Sequence, residues 1–316
     1  KWLVLITAVF AVTGALGFGR FSYAMILSPM QQGLQLNTIQ AGDLATGNMI
    51  GYLGFSVLVG IITARIAPKT VVSYSLLLLS AALCVTGFAN SYFTAILSRV
   101  VAGACSAGAN ITIMGLLSAW FSSEKRGLAN GIAVGGTSVG LIGTGIIVPF
   151  LIARFGIEGW RHSWFVLAGV TFLFALMCFM VLKNNPQELS LKKQHKPIER
   201  NKIGKILKNP QIRFIALIYV LFGFSYIIYA TFFSEHLINE HGFSIAEAGK
   251  LWSIIGAASL AGGFIWGVFS DKVGRKIVIG VGWSIYGLVY VAFALLVFLP
   301  PDVQVTATFI LFAVYA

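Results

Sequence analysis

Two arginines, Arg20 and Arg99, lie deep inside long apolar stretches of this 316-residue chain. An arginine guanidinium is planar and permanently charged, and its fork of N–H donors matches a carboxylate through two parallel hydrogen bonds. An arginine at the middle of a bilayer costs at least about 2.5–3.5 kcal/mol, so such a residue normally faces a cavity or a partner. The sequence therefore predicts that Arg20 and Arg99 hold an anion, with structural pairing inside the protein as the alternative.

Tyrosines and asparagines elsewhere in the apolar stretches extend this candidate site. Tyr226 and Tyr229 would donate hydroxyl groups to a carboxylate, with aromatic packing as the alternative. Asn48 and Asn110 are predicted as further ligands. Because a buried amide must be satisfied, hydrogen bonds between helices are the alternative for both.

Two acids are candidate proton-binding groups. Asp43 would take up a proton, with a plain helix-end site as the alternative, and Glu235 lies in the segment SEHLINEH at 234–241. This segment gathers two glutamates and two histidines, and titration of the histidines would tune a pH dependence. It lacks the HExxH order of zinc-binding helices, so we expect a solvated loop and neither a metal nor another cofactor.

A cluster of charge interrupts the apolar sequence in GGFIWGVFSDKVGRK at 262–276. Gly274 would permit a tight reversal, and Gly267 the close approach of a neighbouring helix. Asp271 would favour the positive end of an adjacent helix, and the basic residues would anchor at lipid headgroups. A basic loop that only sets topology is the alternative. The predicted gating motif comprises Gly267, Asp271, Lys272, Gly274, Arg275 and Lys276.

The elements that must position these residues are membrane-spanning helices. The chain is 58% hydrophobic and 10% charged, with a mean hydropathy of +0.87, whereas soluble domains carry about 25% charged residues. A span needs roughly 20 apolar residues. Arg20 and Arg99 each lie nine residues from the outer end of a span, about 14 Å deep at ~1.5 Å per residue. We predict spans at about 2–30, 40–65, 69–89, 91–121, 127–154, 161–183, 210–235, 245–270 and 275–299, and a tenth from about 303.

The distribution of basic residues predicts an orientation. Most of the 22 lysines and arginines fall in segments that the predicted spans place on the same side of the membrane as the N-terminus. This positive-inside asymmetry predicts a cytoplasmic N-terminus, and it accounts for the net charge of +12 without a nucleic-acid partner. Cys84, Cys105 and Cys178 fall inside predicted spans and are expected to be buried thiols rather than a disulfide framework.

Two segments of the first part of the sequence resemble two later segments, and the separation along the chain is the same for both pairs. LNTIQAGDL at 36–44 aligns with FSIAEAGKL at 243–251, and GIITARIAPK at 60–69 aligns with GVFSDKVGRK at 267–276. The repeated unit would begin at the helix N-caps Asn37 and Ser244, and duplicated halves are typical of transporters with a site between them. We expect a six-helix half at 1–183, a basic linker at 184–209 and a partial second half at 210–316. The alternative for the linker is an interfacial helix on anionic lipid.

Four segments carry a family resemblance. GxxxDKxGRK at 267–276 resembles the signature loop of the major facilitator superfamily, and Arg99-x-x-x-Gly103 resembles its fourth-helix signature. The segments at 120–140 and 159–170 are similar to the oxalate–formate and monocarboxylate branch and its bacterial relatives. The resemblance implies an all-α polytopic membrane protein with two pseudo-symmetric six-helix halves, the second incomplete in this chain.

The resemblance also implies a function. Spans one and four line the central cavity in this family, so Arg20 and Arg99 would face the substrate, and the loop at 267–276 would latch the cytoplasmic side. We expect a secondary active transporter of a small, monocarboxylate-like organic anion in a bacterial inner membrane, using alternating access and proton symport. The chain would be part of a longer, monomeric transporter. Alternatives are an exporter of drugs or amphipathic cations and a transporter-like receptor. No phosphate loop or nucleophile–base pair indicates an enzyme.

Overall fold

The computed structural model describes residues 1–122, 124–185, 209–239 and 242–295, together with residues 298, 307 and 311. Some side chains within 219–294, among them those of Tyr226, Tyr229, Asp271 and Arg275, lie outside the described part. The predicted linker and the predicted tenth span also fall almost entirely outside it.

The described residues form nine long helices and no strand. These helices correspond to the nine predicted spans, with ends that differ by a few residues, so the predicted fold class is confirmed. A 3-10 turn at Gly156–Glu158 connects the fifth of these helices to the sixth. The helices are α1 (Trp2–Leu34), α2 (Thr38–Arg65), α3 (Pro68–Gly87), α4 (Tyr92–Trp120), α5 (Arg126–Phe155), α6 (Gly159–Val181), α7 (Pro210–Asn239), α8 (Ile245–Val273) and α9 (Arg275–Leu295).

The length and composition of the helices suit a bilayer. Helices α1 to α4, the α5–α6 stretch Arg126–Val181 and residues Ile245–Ser270 of α8 are long and apolar enough to cross a membrane. Large apolar side chains also point outward, and Leu53 and Val57 of α2 are each 71% exposed. A surface of this kind is solvated by acyl chains, because in water it would be strongly unfavourable. The chain is an integral membrane protein.

Helices α2 and α8 begin with the same type of cap. Asn37 accepts a hydrogen bond from the Gln40 backbone N–H at 2.8 Å, and the Gln40 side chain accepts one from the Asn37 backbone at 3.1 Å. Ser244 and Glu247 form the equivalent pair at 3.3 and 2.8 Å. Both predicted N-caps are confirmed, since each box satisfies N–H groups that lack an intrahelical partner. The matching caps support the predicted repeat.

Helix α1 is not a uniform α-helix. Its middle, Thr13–Phe21, is π-helical, and Arg20 lies in the last turn of this segment. The segment TGALGFGRF contains three glycines, whose low helix propensity lets the backbone widen. Thr13 Oγ1 donates to the Gly136 carbonyl at 2.8 Å, which holds the widened segment against α5.

The first six helices meet the later three mainly along α5 and α8. Gly145 and Gly249 bring the two backbones into contact, and Ser253 Oγ donates to the Ile142 carbonyl at 3.2 Å. These residues lie in the second half of α5 and in the first turns of α8. Close approach through small residues is the usual way for helices to pack in lipid. We call this tightly packed region the α5–α8 contact.

The opposite end of the bundle carries basic residues such as Lys69, Lys125 and Lys183, and we call it the basic end. Helices α5 and α8 stay close towards it as far as Gly131, whose Cβ position is 3.3 Å from the Gly263 carbonyl oxygen. No described atom lies within 4 Å of the Cβ position at Gly267. The close helix approach expected at Gly267 is not present among the described atoms, and the role of this glycine stays a prediction.

Candidate anion-binding site

A cavity of about 790 Å³ lies between the two groups of helices. Helices α1 and α5 form one wall, and α7, α8 and α9 form the other. Ser138, Ser259 and Tyr286 contribute polar groups, while Trp266 and Trp283 contribute large aromatic surfaces. The cavity lies on the basic-end side of the α5–α8 contact, so the packed glycines close it at the other end.

Arg20 is the one formally charged residue among the described residues that line this cavity. Its Cζ atom is 5.2 Å from the ring centroid of Phe21 and 5.8 Å from that of Tyr52. Both distances fall within the roughly 6 Å range of a cation–π interaction. Arg20 is half-buried. Its side chain is therefore supported by aromatic rings and also borders the cavity. Its predicted contact with an anion stays a prediction.

Arg99 lies in a different environment. Only 1% of its surface is exposed, and its Nη1 donates to the Gly19 carbonyl at 3.0 Å. Its Cζ atom is 5.1 Å from the ring centroids of both Tyr23 and Trp164. A buried cation is stabilised by such rings and by a carbonyl acceptor. The protein itself therefore surrounds this guanidinium.

The two arginines share a second, much smaller cavity. Its volume is about 10 Å³, which is close to the space that one water molecule occupies. Tyr23 of α1, Met49 of α2 and Thr231 of α7 also line it. The predicted proximity of Arg20 and Arg99 is thus present, but Arg99 is not among the described residues that line the large cavity.

The two predicted asparagines connect helices. Asn48 is fully buried, and its Nδ2 donates to the carbonyls of Gly19 and Arg99 at 3.3 and 3.1 Å. Asn110 Nδ2 donates to the Tyr52 hydroxyl at 2.9 Å. Asn110 therefore supports the tyrosine that lies beside Arg20. Contact of either amide with a substrate stays a prediction.

The two candidate acids lie on α2 and α7. Asp43 is in the second turn of α2 and accepts a hydrogen bond from the Tyr92 hydroxyl at 2.9 Å. Glu235 is half-buried on α7. Proton binding at either acid stays a prediction.

The gating motif is only partly described. Gly274 has φ +96°, a conformation that favours glycine, as expected for the tight reversal between α8 and α9. Lys272 and Lys276 are exposed. The side chains of Asp271 and Arg275 lie outside the described part, as do those of the two predicted tyrosines, Tyr226 and Tyr229.

Several residues at the site were missed by the sequence interpretation. Tyr52 and Trp164 come from helices other than those of the arginines they contact, so no local spacing indicates them. Tyr23 follows Arg20 by three positions, and helical neighbours of this kind are detectable in principle. The role of the Gly19 carbonyl cannot be predicted from the residue type, because it depends on the backbone of a π-helical turn.

Comparison with known proteins places this architecture in a family. The sequence profile of the Major Facilitator Superfamily matches residues 9–316. A bacterial homologue of the human lysosomal transporter Spinster, in an inward-facing and unoccupied conformation, superposes with a TM-score of 0.71 at 19% identity, covering 99% of this chain and 71% of that one. A D-xylose–proton symporter gives a TM-score of 0.69 at 18% identity, covering 100% and 80%. At these sequence identities, the structural similarity establishes the fold alone.

Curated relatives include transporters of acids. The chain is 24% identical to a hexuronate transporter of Bacillus subtilis, over 84% of this chain and 64% of the relative. It is 22% identical to a probable sulfoacetate transporter of Cupriavidus necator, over 78% and 60%, and 23% identical to a probable galactarate/D-glucarate transporter of Escherichia coli K12, over 87% and 68%. The chain thus spans less than two thirds of the first two relatives. The similarity to the oxalate–formate and monocarboxylate branch stays a prediction. Because the family profile covers nearly the whole sequence, the chain belongs to the Major Facilitator Superfamily.

Proposed function

We propose that this protein is a secondary active transporter that binds a small organic anion at Arg20 and moves it across a bacterial inner membrane. The observation that carries the proposal is a single formal positive charge among the described residues of a large cavity between two groups of helices. An anion entering the cavity meets a guanidinium whose charge lies in a low-dielectric wall. A charge-assisted, two-pronged hydrogen bond is the strongest polar contact available there.

The chemistry of the relatives supports an acid as the substrate. Hexuronate, sulfoacetate and glucarate differ in size and in hydroxyl content, but each carries at least one anionic group. A positive charge in the cavity is the feature that would serve all three. An exporter of amphipathic cations remains the second candidate, because Trp266 and Trp283 offer an aromatic surface. A cation at that surface would, however, be repelled by Arg20.

Alternating access is the proposed mechanism. The α5–α8 contact closes one end of the cavity through small residues, whereas towards the basic end no described atom packs within 4 Å of the Cβ position at Gly267. With a cytoplasmic N-terminus, this arrangement corresponds to an inward-facing conformation. Substrate binding would bias the rocking of one half against the other around the site. Asp43 and Glu235 are the proposed proton acceptors for symport.

The decisive experiment measures anion binding to the purified full chain by isothermal titration calorimetry. The panel contains D-glucuronate, D-glucarate, sulfoacetate and lactate. Loss of a hydrogen bond to a charged group is worth about 1.5–3 kcal/mol, so Arg20→Gln should weaken binding of the best anion by roughly 10- to 150-fold. The matched control is Arg161→Gln, because Arg161 donates to the Gly87 and Ala89 carbonyls and does not line the described cavity.

Equal affinity in Arg20→Gln and the unchanged protein would refute Arg20 as the anion site. Binding of tetraphenylphosphonium with no binding of any acid would favour the cation exporter.

Uptake into proteoliposomes tests whether transport is coupled to protons. A protonophore that collapses an imposed pH gradient should abolish anion accumulation. Persistent accumulation would exclude proton symport and indicate uniport or exchange.

A further inference from the structure

We infer that Arg99 and Asn48 are positioning residues that act on the anion through Arg20 rather than by touching it. Both donate to the carbonyl oxygen of Gly19, the residue directly before Arg20. Arg99 Nη1 does so at 3.0 Å and Asn48 Nδ2 at 3.3 Å. The inference rests on the proposed function, since it takes Arg20 as the group that binds the anion.

The Gly19 carbonyl belongs to a turn in which helical hydrogen bonding is already altered. The Ser22 backbone N–H bonds to the Gly17 carbonyl, five residues earlier. Ser22 Oγ donates to the Phe18 carbonyl at 2.5 Å. A widened turn of this kind satisfies its own carbonyl groups with fewer intrahelical hydrogen bonds than an α-helix does, and it often marks a functional position. Two donors from α2 and α4 therefore hold one turn of α1 in place.

Arg99 is poorly placed to bind a substrate itself. Its guanidinium lies between the rings of Tyr23 and Trp164, and only 1% of the residue is exposed. It is not among the described residues that line the 790 Å³ cavity. Leaving this cage would cost the cation its ring contacts and its carbonyl acceptor. The charge is therefore stable where it lies.

Asn48 makes the arrangement rigid. Its Nδ2 also donates to the Arg99 backbone carbonyl at 3.1 Å, so one amide of α2 joins α1 to α4. A Cβ atom at Gly19 would collide with Ser106 of α4 and crowd Leu79 of α3, so the surrounding helices leave this turn no room to shift. Because Gly19 and Arg20 share a peptide bond, the position of the Gly19 carbonyl determines where the Arg20 side chain starts.

The first test compares Arg99→Gln and Asn48→Leu by calorimetry with D-glucuronate and sulfoacetate. We expect each change to weaken binding on the order of 10-fold, the loss expected when one hydrogen bond to a charged group is misaligned. Arg99→Lys should restore part of the affinity, because an ammonium group still donates to the Gly19 carbonyl. In an Arg20→Gln background the two changes should have no further effect. Fully additive losses would show that Arg99 contacts the anion and would overturn the inference.

A second readout needs no substrate. The rate at which phenylglyoxal modifies Arg20, followed by peptide mass spectrometry, reports whether this guanidinium reaches the cavity. We expect the rate to fall several-fold in Arg99→Gln and in Asn48→Leu, and to stay unchanged in Arg161→Gln. Arg161 is a matched control because it also donates to two backbone carbonyls and stacks on a tryptophan, Trp160.

The two readouts separate the inference from the proposed function. If Arg20→Gln binds anions as well as the unchanged protein does, the proposed function fails, while the reactivity of Arg20 still decides the positioning role. Asn48→Leu keeps the same branching and number of heavy atoms and leaves every charge in place, so it answers the question even if Arg99→Gln does not fold. Unchanged Arg20 reactivity in a stably folded Asn48→Leu would overturn the inference.

Discussion

Arg20 and Arg99 have the same side chain and lie at the same predicted depth, yet their surroundings differ. Arg20 is half-buried at the wall of a large cavity, with Phe21 and Tyr52 beside it. Arg99 is enclosed by two rings and a backbone carbonyl. A cation in the membrane needs a cavity or a partner. Arg20 satisfies this rule through the cavity, and Arg99 satisfies it through partners within the protein. The two arginines therefore have different predicted roles.

Tyr52 tests the aromatic support of Arg20. Tyr52→Phe keeps the ring and should change anion affinity less than about twofold. Tyr52→Leu removes a cation–π contact worth about 0.5–2 kcal/mol, so we expect roughly 2- to 30-fold weaker binding. Calorimetry with D-glucuronate measures both. Equal losses in the two variants would mean that the hydroxyl held by Asn110 matters, and the ring does not.

At the scale of elements, close helix crossings depend on glycine. Gly17 and Gly140 bring α1 against α5, and Gly145 and Gly249 bring α5 against α8. At each pair a Cβ atom would collide with the backbone of the other helix. The first crossing lies within one group of helices and the second joins the two groups. Only the second therefore bears on which end of the cavity is closed.

Gly145→Val tests the α5–α8 contact as the closed end. The new side chain would collide with the Gly249 backbone and push the helices apart there. We expect Ser253→Cys, in the same protein, to react several-fold faster with a membrane-impermeant maleimide. Gly169→Val is the matched control, because no described atom lies within 4 Å of that Cβ position. Equal labelling rates in the two variants would show that this contact does not close the cavity.

At the scale of the whole molecule, the two ends of the bundle are unlike. One end carries the α5–α8 contact, and the basic end carries the reversal at Gly274 between α8 and α9. The segment 267–276, which is helical except at Gly274, lies at the basic end, where the halves would have to come together in the other state of the proposed cycle. We propose that its charges latch the halves in that other state.

Asp271→Asn tests this latch. A carboxylate near a helix N-terminus is worth about 0.3–1 kcal/mol, so we expect exchange of D-glucuronate across proteoliposomes to slow by roughly two- to fivefold, with normal membrane insertion. Lys250→Gln changes an exposed charge at the other end of α8 and should leave the rate unchanged. Equal exchange rates for Asp271→Asn and the unchanged protein would exclude a latch that depends on this charge.

The sequence alone determined the helices, their approximate ends, the caps at Asn37 and Ser244, and the presence of two cations within apolar helices. These features depend on local composition and on the high cost of placing polar groups in lipid, so they can be deduced without knowing any neighbour. Only the tertiary structure decided that Arg20 borders the large cavity while Arg99 is caged by Tyr23 and Trp164. It alone showed that the side chains of Arg99 and Asn48 both donate hydrogen bonds to the Gly19 carbonyl. Such features depend on which helices touch, and contacts between helices far apart in sequence leave no periodic pattern to detect.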